Sequence, residues 1–150
     1  MLSSIDFAKL VLIEAKTKSK KLNLTQLQKI IYICDGVLLA RYDLNLIREN
    51  CRVWDYGPVY PKVYKWFSKK SSNHIDLSLS QNTDDYIKNN PNIREVINAV
   101  LDKFGNMPAK TLSDWSHQKG SPWDIARNTT GMYSQISKDV MKLFFKSVLK

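Results

Sequence analysis

Four side chains in this sequence are of the types that most readily do covalent or metal chemistry: Cys34, Cys51, His74 and His117. Zinc sites draw on Cys and His at short, regular spacings, and these four are isolated from one another, with no CxxC among them. Cys51 and His117 make a formal nucleophile–base pair, yet nothing in their spacing brings them within the hydrogen-bond reach that covalent catalysis needs. Glutamate is confined to Glu14, Glu49 and Glu95, which leaves little material for a paired-carboxylate mechanism. The five glycines are scattered, with no phosphate-cradling Walker or GxGxxG loop and no GxSxG elbow. These residues point away from an enzyme and toward a protein that works by binding another macromolecule, with no cofactor and no metal.

The protein that must position a binding surface has 150 residues, 43% of them hydrophobic and 25% charged. Residues 1–150 fit one compact globular domain whose core is large enough to need no disulfide or metal. The net charge of +9 could attract nucleic acid, an anionic surface or an acidic protein. The excess is nearly all lysine, the arginines being Arg41, Arg48, Arg52, Arg94 and Arg127, a bias that A+T-rich coding also produces. Arginine is the usual base reader, and no DNA-reading motif is present, so nucleic acid is an unlikely partner. The opening apolar run is broken by Asp6, Lys9 and Glu14, unlike a signal peptide. No apolar stretch approaches the roughly 18 residues of a membrane span. Two distant cysteines outside any framework agree with a reducing compartment, and a cytoplasmic location is expected.

The spacing predicts a first helix from about Ile5 to Lys16, a basic connection over Lys16 to Lys21, and a second helix capped by Asn23 or Thr25, each with a Gln three residues on. Leu27, Ile30, Ile31, Cys34 and Leu38 give that helix one apolar face, which buries Cys34, while Gly36 invites a close neighbour. Cys51, Val53 and Trp54 read as strand and Tyr56-Gly57-Pro58-Val59 as a turn, making a hairpin that leads into a helix near Pro61. Ile75 to Ser80 alternates with period 2, as a half-buried strand does. Asn92 with Glu95 reads as a capping box opening a helix that stops at Gly105, and a short helix follows over Thr111 to His117. Ser121 caps another with Pro122 at its first position. A last helix over Ser137 to Leu149 buries Met141, Phe144, Phe145 and Val148 and carries Lys138, Lys142, Lys146 and Lys150 as a stripe. The fold expected is α+β, mainly α: a compact helical domain with a small antiparallel β-hairpin inserted after the second helix.

The stretch LTQLQKIIYICDGVLLARY, followed by VWDYGPVYPKVYKWF, resembles the Panacea domain of SocA-like and phage-associated antitoxins. The match rests on Leu27, Gln28, Lys29, Ile30, Tyr32 and Leu39, then on Trp54, Tyr56, Gly57, Pro58, Val59, Tyr64 and Phe67. Leu112-Ser113 through His117 to Ser121-Pro122-Trp123, with Ala126, resembles the family's later segment; Val53 stands where the family carries alanine. The resemblance implies an antitoxin that neutralises a cognate protein toxin by contact, with delivery to an ATP-dependent protease as one family mechanism. A basic nucleic-acid-binding or phage-associated regulator is the alternative.

Gly57 can take a positive φ and Pro58 fixes the next one, so the turn is stiff. Aromatics on a stiff turn serve either to plug the joint or as interface anchors, where Trp and Tyr dominate. Trp54 and Trp123 read as structural. Tyr56, Tyr60 and Tyr64 are candidate partner contacts, with His117 after them. Lys29 and Asp55, polar within apolar motifs, are either a buried pair or a contact site.

Overall fold

The computed structural model describes residues 1–69 and 75–149. His74 and Lys150 therefore lie outside the described residues.

The second helix, α2 (Leu24–Tyr42), organises the rest. Its Asn23 cap and Gln26 complete the expected capping box. Every residue from Leu27 to Leu39 is buried, so the helix is covered on all sides and not on one face alone. Helix α1 (Ser4–Thr17) lies against it, with Phe7, Leu10 and Val11 in the core. Helix α5 (Asn92–Phe104) and helix α8 (Lys138–Val148) pack on α2 as well. At Gly36 helix α8 comes close: a β-carbon there would lie 2.1 Å from the Phe145 ring. Met141 and Phe145 are buried as expected, whereas Phe144 is half-buried and Val148 exposed.

Strands β1 (Arg52–Trp54) and β2 (Gly57–Val59) pair antiparallel, with Trp54 opposite Gly57. The loop is thus Asp55–Tyr56, and Gly57-Pro58-Val59 belongs to the second strand and not to the turn. The outer edge of β1 is covered by the segment from Tyr133 to Ile136, which exchanges backbone hydrogen bonds with Cys51 and Val53. Helix α3 (Pro61–Ser68) follows with Pro61 in its first turn.

Residues 75–80 form no strand. They alternate in burial as their sequence does, because Ile75, Leu77 and Leu79 turn inward while Lys9 Nζ donates to the Ser78 carbonyl at 3.0 Å. Period 2 here records an extended segment laid on helices, not sheet pairing. Ser80 then caps helix α4 (Gln81–Lys88), which the sequence reading did not separate. Asn92 does not cap α5; Pro91, at φ −62°, already holds the cap position, so Asn92 is helical. Helix α6 (Ala109–Ser116) and helix α7 (Pro122–Thr129), the latter capped by Ser121 with Pro122 behind it, complete the fold. Among the described residues the architecture is mainly α, eight helices and one two-stranded antiparallel sheet after α2.

Candidate functional site

The hairpin is gripped from beneath by side chains of three distant stretches. Trp123 Nε1 donates to the Trp54 carbonyl at 2.9 Å, and Ser113 Oγ to the Tyr56 carbonyl at 2.7 Å. Lys29 Nζ donates to the Pro58 carbonyl at 3.2 Å. Gln28 grips the Tyr60 peptide from both sides, Nε2 donating to its carbonyl at 3.2 Å and Oε1 accepting from its N–H at 2.8 Å. The His117 ring packs against Trp123 at a tilt of 58°, centroids 4.0 Å apart, and bridges two carbonyls, with Nε2 2.8 Å from that of Asp55 and Nδ1 2.5 Å from that of Ser113. A neutral imidazole can donate to one of these, an imidazolium to both. Each bond satisfies a backbone group that would otherwise be costly to bury.

Gly57 is required for this grip. Its φ is +113°, and a β-carbon would stand 2.4 Å from Ser116 Oγ and 2.6 Å from Lys29 Cε. The lysine and serine pass through the space a side chain would fill.

The opposite side of the hairpin faces out. Tyr56 in the loop is 72% exposed, Tyr64 on α3 43%, and Tyr133 60%. Trp54 joins them edge-on, its ring centroid 5.1 Å from Tyr64 and 6.4 Å from Tyr133. Between these rings and the first turns of α2 lies a cavity of about 190 Å³, with Lys29 and Asp55 in its lining.

Two sequence expectations need correction. Tyr60 is completely buried, so it cannot meet a partner; its hydroxyl donates to Asp35 Oδ2 at 2.8 Å. Burial beside that carboxylate raises the phenol well above its ordinary pKa and keeps it a donor. Of the two readings of Lys29 and Asp55, the buried pair fails: Lys29 is buried, at 1% exposure, while Asp55 is exposed, and Lys29 can be reached only through the cavity it lines. Trp123 reaches the joint through its indole N–H on the Trp54 carbonyl, while the Trp54 ring is half-buried beside Tyr64 and Tyr133. Sequence reasoning missed Tyr133, which comes from a separate loop and touches the patch only through the fold. It also gave no role of their own to Gln28 and Ser113, although both lie in the motifs it quoted.

A second polar centre sits below. Asp35 is fully buried, and its Oδ2 accepts from Lys138 Nζ at 2.7 Å as well as from Tyr60. Asp35 Oδ1 and Tyr32 Oη are buried without a hydrogen-bond partner among the described residues. Of the α8 lysines, Lys138 turns inward to meet Asp35, whereas Lys142 meets the exposed Asp43 at 2.5 Å. Cys34 and Cys51 are both buried, and burial pushes both thiols up, Cys51 to about 12, which makes them poor nucleophiles. Among the described residues, no group of His, Cys, Asp and Glu could hold a metal ion, and no helix is long and apolar enough to cross a membrane. A wider, mostly apolar groove of about 630 Å³ lies between α5 and α8, floored by Ile33 and Val37 of α2.

A family model described as antitoxin SocA-like, Panacea domain, matches residues 27–124. The protein is also 31% identical over 112 residues to Antitoxin SocA of Caulobacter vibrioides (strain NA1000 / CB15N). That alignment covers 70% of this sequence and 60% of the relative, so it spans less than two thirds of the relative's length. No solved structure matches. The matched span contains the hairpin and all five side chains that grip it and the Tyr60 peptide that follows, and on that match the protein belongs to the SocA-like antitoxin family, the Panacea domain.

Proposed function

We propose that this protein acts in the cytoplasm as a one-domain antitoxin that neutralises a cognate protein toxin by direct binding and catalyses no reaction. The observation that carries the reading is Tyr56: a large aromatic, 72% exposed, on a two-residue loop whose carbonyls are held by His117 and Ser113. An anchor already fixed in place loses little conformational freedom on binding, and preorganised aromatics are what interface hot spots are made of. Tyr64 and Tyr133 extend the patch, with Trp54 as its half-buried centre. The buried chemistry, two inert thiols and a closed Asp35–Lys138 pair, gives no reacting group access to solvent. The net charge of +9 favours a partner with an acidic face, whose association would quicken at low salt.

The test is co-expression and co-purification with the product of the adjacent gene. Relief of growth arrest and a stable complex are expected, and absence of both overturns the reading. Masking the toxin and delivering it to an ATP-dependent protease both begin with this contact. Toxin half-life in cells separates the two, since delivery shortens it and masking does not.

A further inference from the structure

Lys29, which is buried, and Lys138, which is half-buried, are treated differently by this fold. Lys138 meets the Asp35 carboxylate at 2.7 Å. Lys29, at 1% exposure, makes no ion pair among the described residues, and its one acceptor is the Pro58 carbonyl at 3.2 Å. An ammonium has three N–H donors, so one neutral acceptor leaves this cation undersatisfied, and a buried charge is costly unless paired. The residue is not stranded in the core, because it lines the cavity of about 190 Å³ under the hairpin. That volume is on the scale of one side chain and not of a folded segment. The walls are Trp54, Tyr56, Tyr64 and Tyr133, and the first turn of α2 contributes Leu24 and Thr25, bringing the positive end of a 19-residue helix to the same place. Asp55 stands in the lining with its side chain exposed, yet does not close on Lys29.

We propose that this cavity is a carboxylate socket, in which an acidic group presented by a protein partner pairs with Lys29 between the aromatic walls. The identity of the partner rests on the antitoxin reading; the socket itself rests on the lysine and the cavity. An Asp or Glu side group and the free carboxylate at the end of a polypeptide offer the same chemistry and are separated below.

Burial, slightly opposed by Cys51, lowers the Lys29 pKa to about 8. The other titratable groups facing it are Asp55 and Tyr56 from the loop, Tyr64 from α3 and Tyr133. A bound carboxylate favours the charged form, so the pKa rises on binding. Affinity is then level between the carboxylate's own titration range and about 8 and falls as pH rises above that, with one proton taken up per site at the upper end.

The experiment follows the Cε resonance of Lys29 in the full-length protein through pH titrations in chloride, acetate and inorganic phosphate at matched ionic strength, the signal assigned by its loss in Lys29→Met. The socket predicts titration near about 8 in chloride and about one unit or more higher in acetate. Identical curves in acetate and chloride would overturn it, as would a shift with phosphate and none with acetate. Acetyl-Trp-Asp-amide and acetyl-Trp-Ala with a free carboxylate then report the source, and a response to neither also counts against the socket. Should Lys29→Met fail to fold, Asp55→Asn serves as the second variant. It alters an exposed side chain and should enlarge the acetate response; a response unchanged or reduced would count against the socket. Toxin binding that is normal while Lys29 ignores acetate removes the socket and leaves the antitoxin reading. An acetate response without any toxin complex does the reverse.

Discussion

The indole N–H of Trp123 and the carbonyl of Trp54, 69 positions apart in the sequence, meet at 2.9 Å. Around that bond three sequence stretches become one device: Lys29, Ser113, His117 and Trp123 each hold a carbonyl of the hairpin, and Gln28 holds the Tyr60 peptide that follows it. Trp123→Phe keeps an aromatic ring but removes the donor, along with part of the indole's bulk. We expect a loss of about 1–3 kcal/mol, the cost of a backbone acceptor left without its partner, with faster amide exchange at Tyr56 and Gly57. Unchanged exchange there would show that the indole only fills space.

Gly57→Ala should cost more. The positive φ of +113° costs an L-residue about 1–2 kcal/mol. The new methyl must also push aside Lys29 Cε and Ser116 Oγ, an overpacking worth about 1–3 kcal/mol. Urea unfolding gives the sum. Wild-type stability in this variant would mean that the hairpin can shift off its grip without penalty.

The Asp35–Lys138 pair gives a pH dependence of defined sign. Burial raises the Asp35 carboxyl above its ordinary range, against the pull of Lys138 and Tyr60. The folded protein therefore binds that proton more tightly than the unfolded one. Its contribution is full below the ordinary carboxylate range and is lost as pH rises through the raised folded value. Lys138→Met removes the largest opposing charge, so the decline should extend to higher pH, and at neutral pH the variant should lose about 3–5 kcal/mol as an orphaned buried carboxylate. Asp35→Asn should abolish this part of the profile. Stability curves for Lys138→Met that run parallel to wild type across pH would show the two groups to be uncoupled.

Gly36→Ala tests the close approach of α2 and α8. Alanine improves helix propensity by about 1 kcal/mol, but the new methyl would meet the Phe145 ring, 2.1 Å away. The α8 helix must then shift, and net destabilisation is expected, partly relieved by adding Phe145→Leu. A Gly36→Ala protein more stable than wild type would show that α8 has freedom to move.

How far the sequence led depended on the range of the interaction. Local signals were legible: the Asn23–Gln26 box, Ser121 with Pro122, the hairpin after α2, and the close approach at Gly36. Alternation at Ile75–Ser80 misled because half-burial against helices and half-burial in a sheet share period 2. Pro91 displaced the cap expected at Asn92 because its fixed φ suits the helix entry one residue earlier. At the site, Tyr56, Tyr60 and Tyr64 are indistinguishable by type and spacing. What separates them is Asp35, a carboxylate buried in α2 that draws the Tyr60 hydroxyl inward. Nothing in the one-dimensional pattern pairs positions 35, 60 and 138, and the same limit hid Tyr133.

That separation gives the sharpest functional test, because two tyrosines of one motif should fail in different ways. Tyr56→Ala removes an exposed ring whose loop is held by backbone contacts, so folding should be unchanged while toxin affinity falls by about 2 kcal/mol or more, the cost of a true anchor. Tyr60→Phe removes only a buried hydroxyl. Asp35 Oδ2 is then left to Lys138 alone, which should cost about 1–3 kcal/mol of stability and leave the affinity of the folded fraction intact. Tyr64→Ala should resemble Tyr56→Ala with a smaller effect, since its ring also packs on Trp54. Calorimetric titration with the toxin, beside urea unfolding of each variant, reads both quantities. If Tyr56→Ala binds normally, the exposed hairpin aromatics are not the toxin contact. If Tyr60→Phe loses affinity at unchanged stability, the buried network reaches the binding surface in a way its burial does not account for.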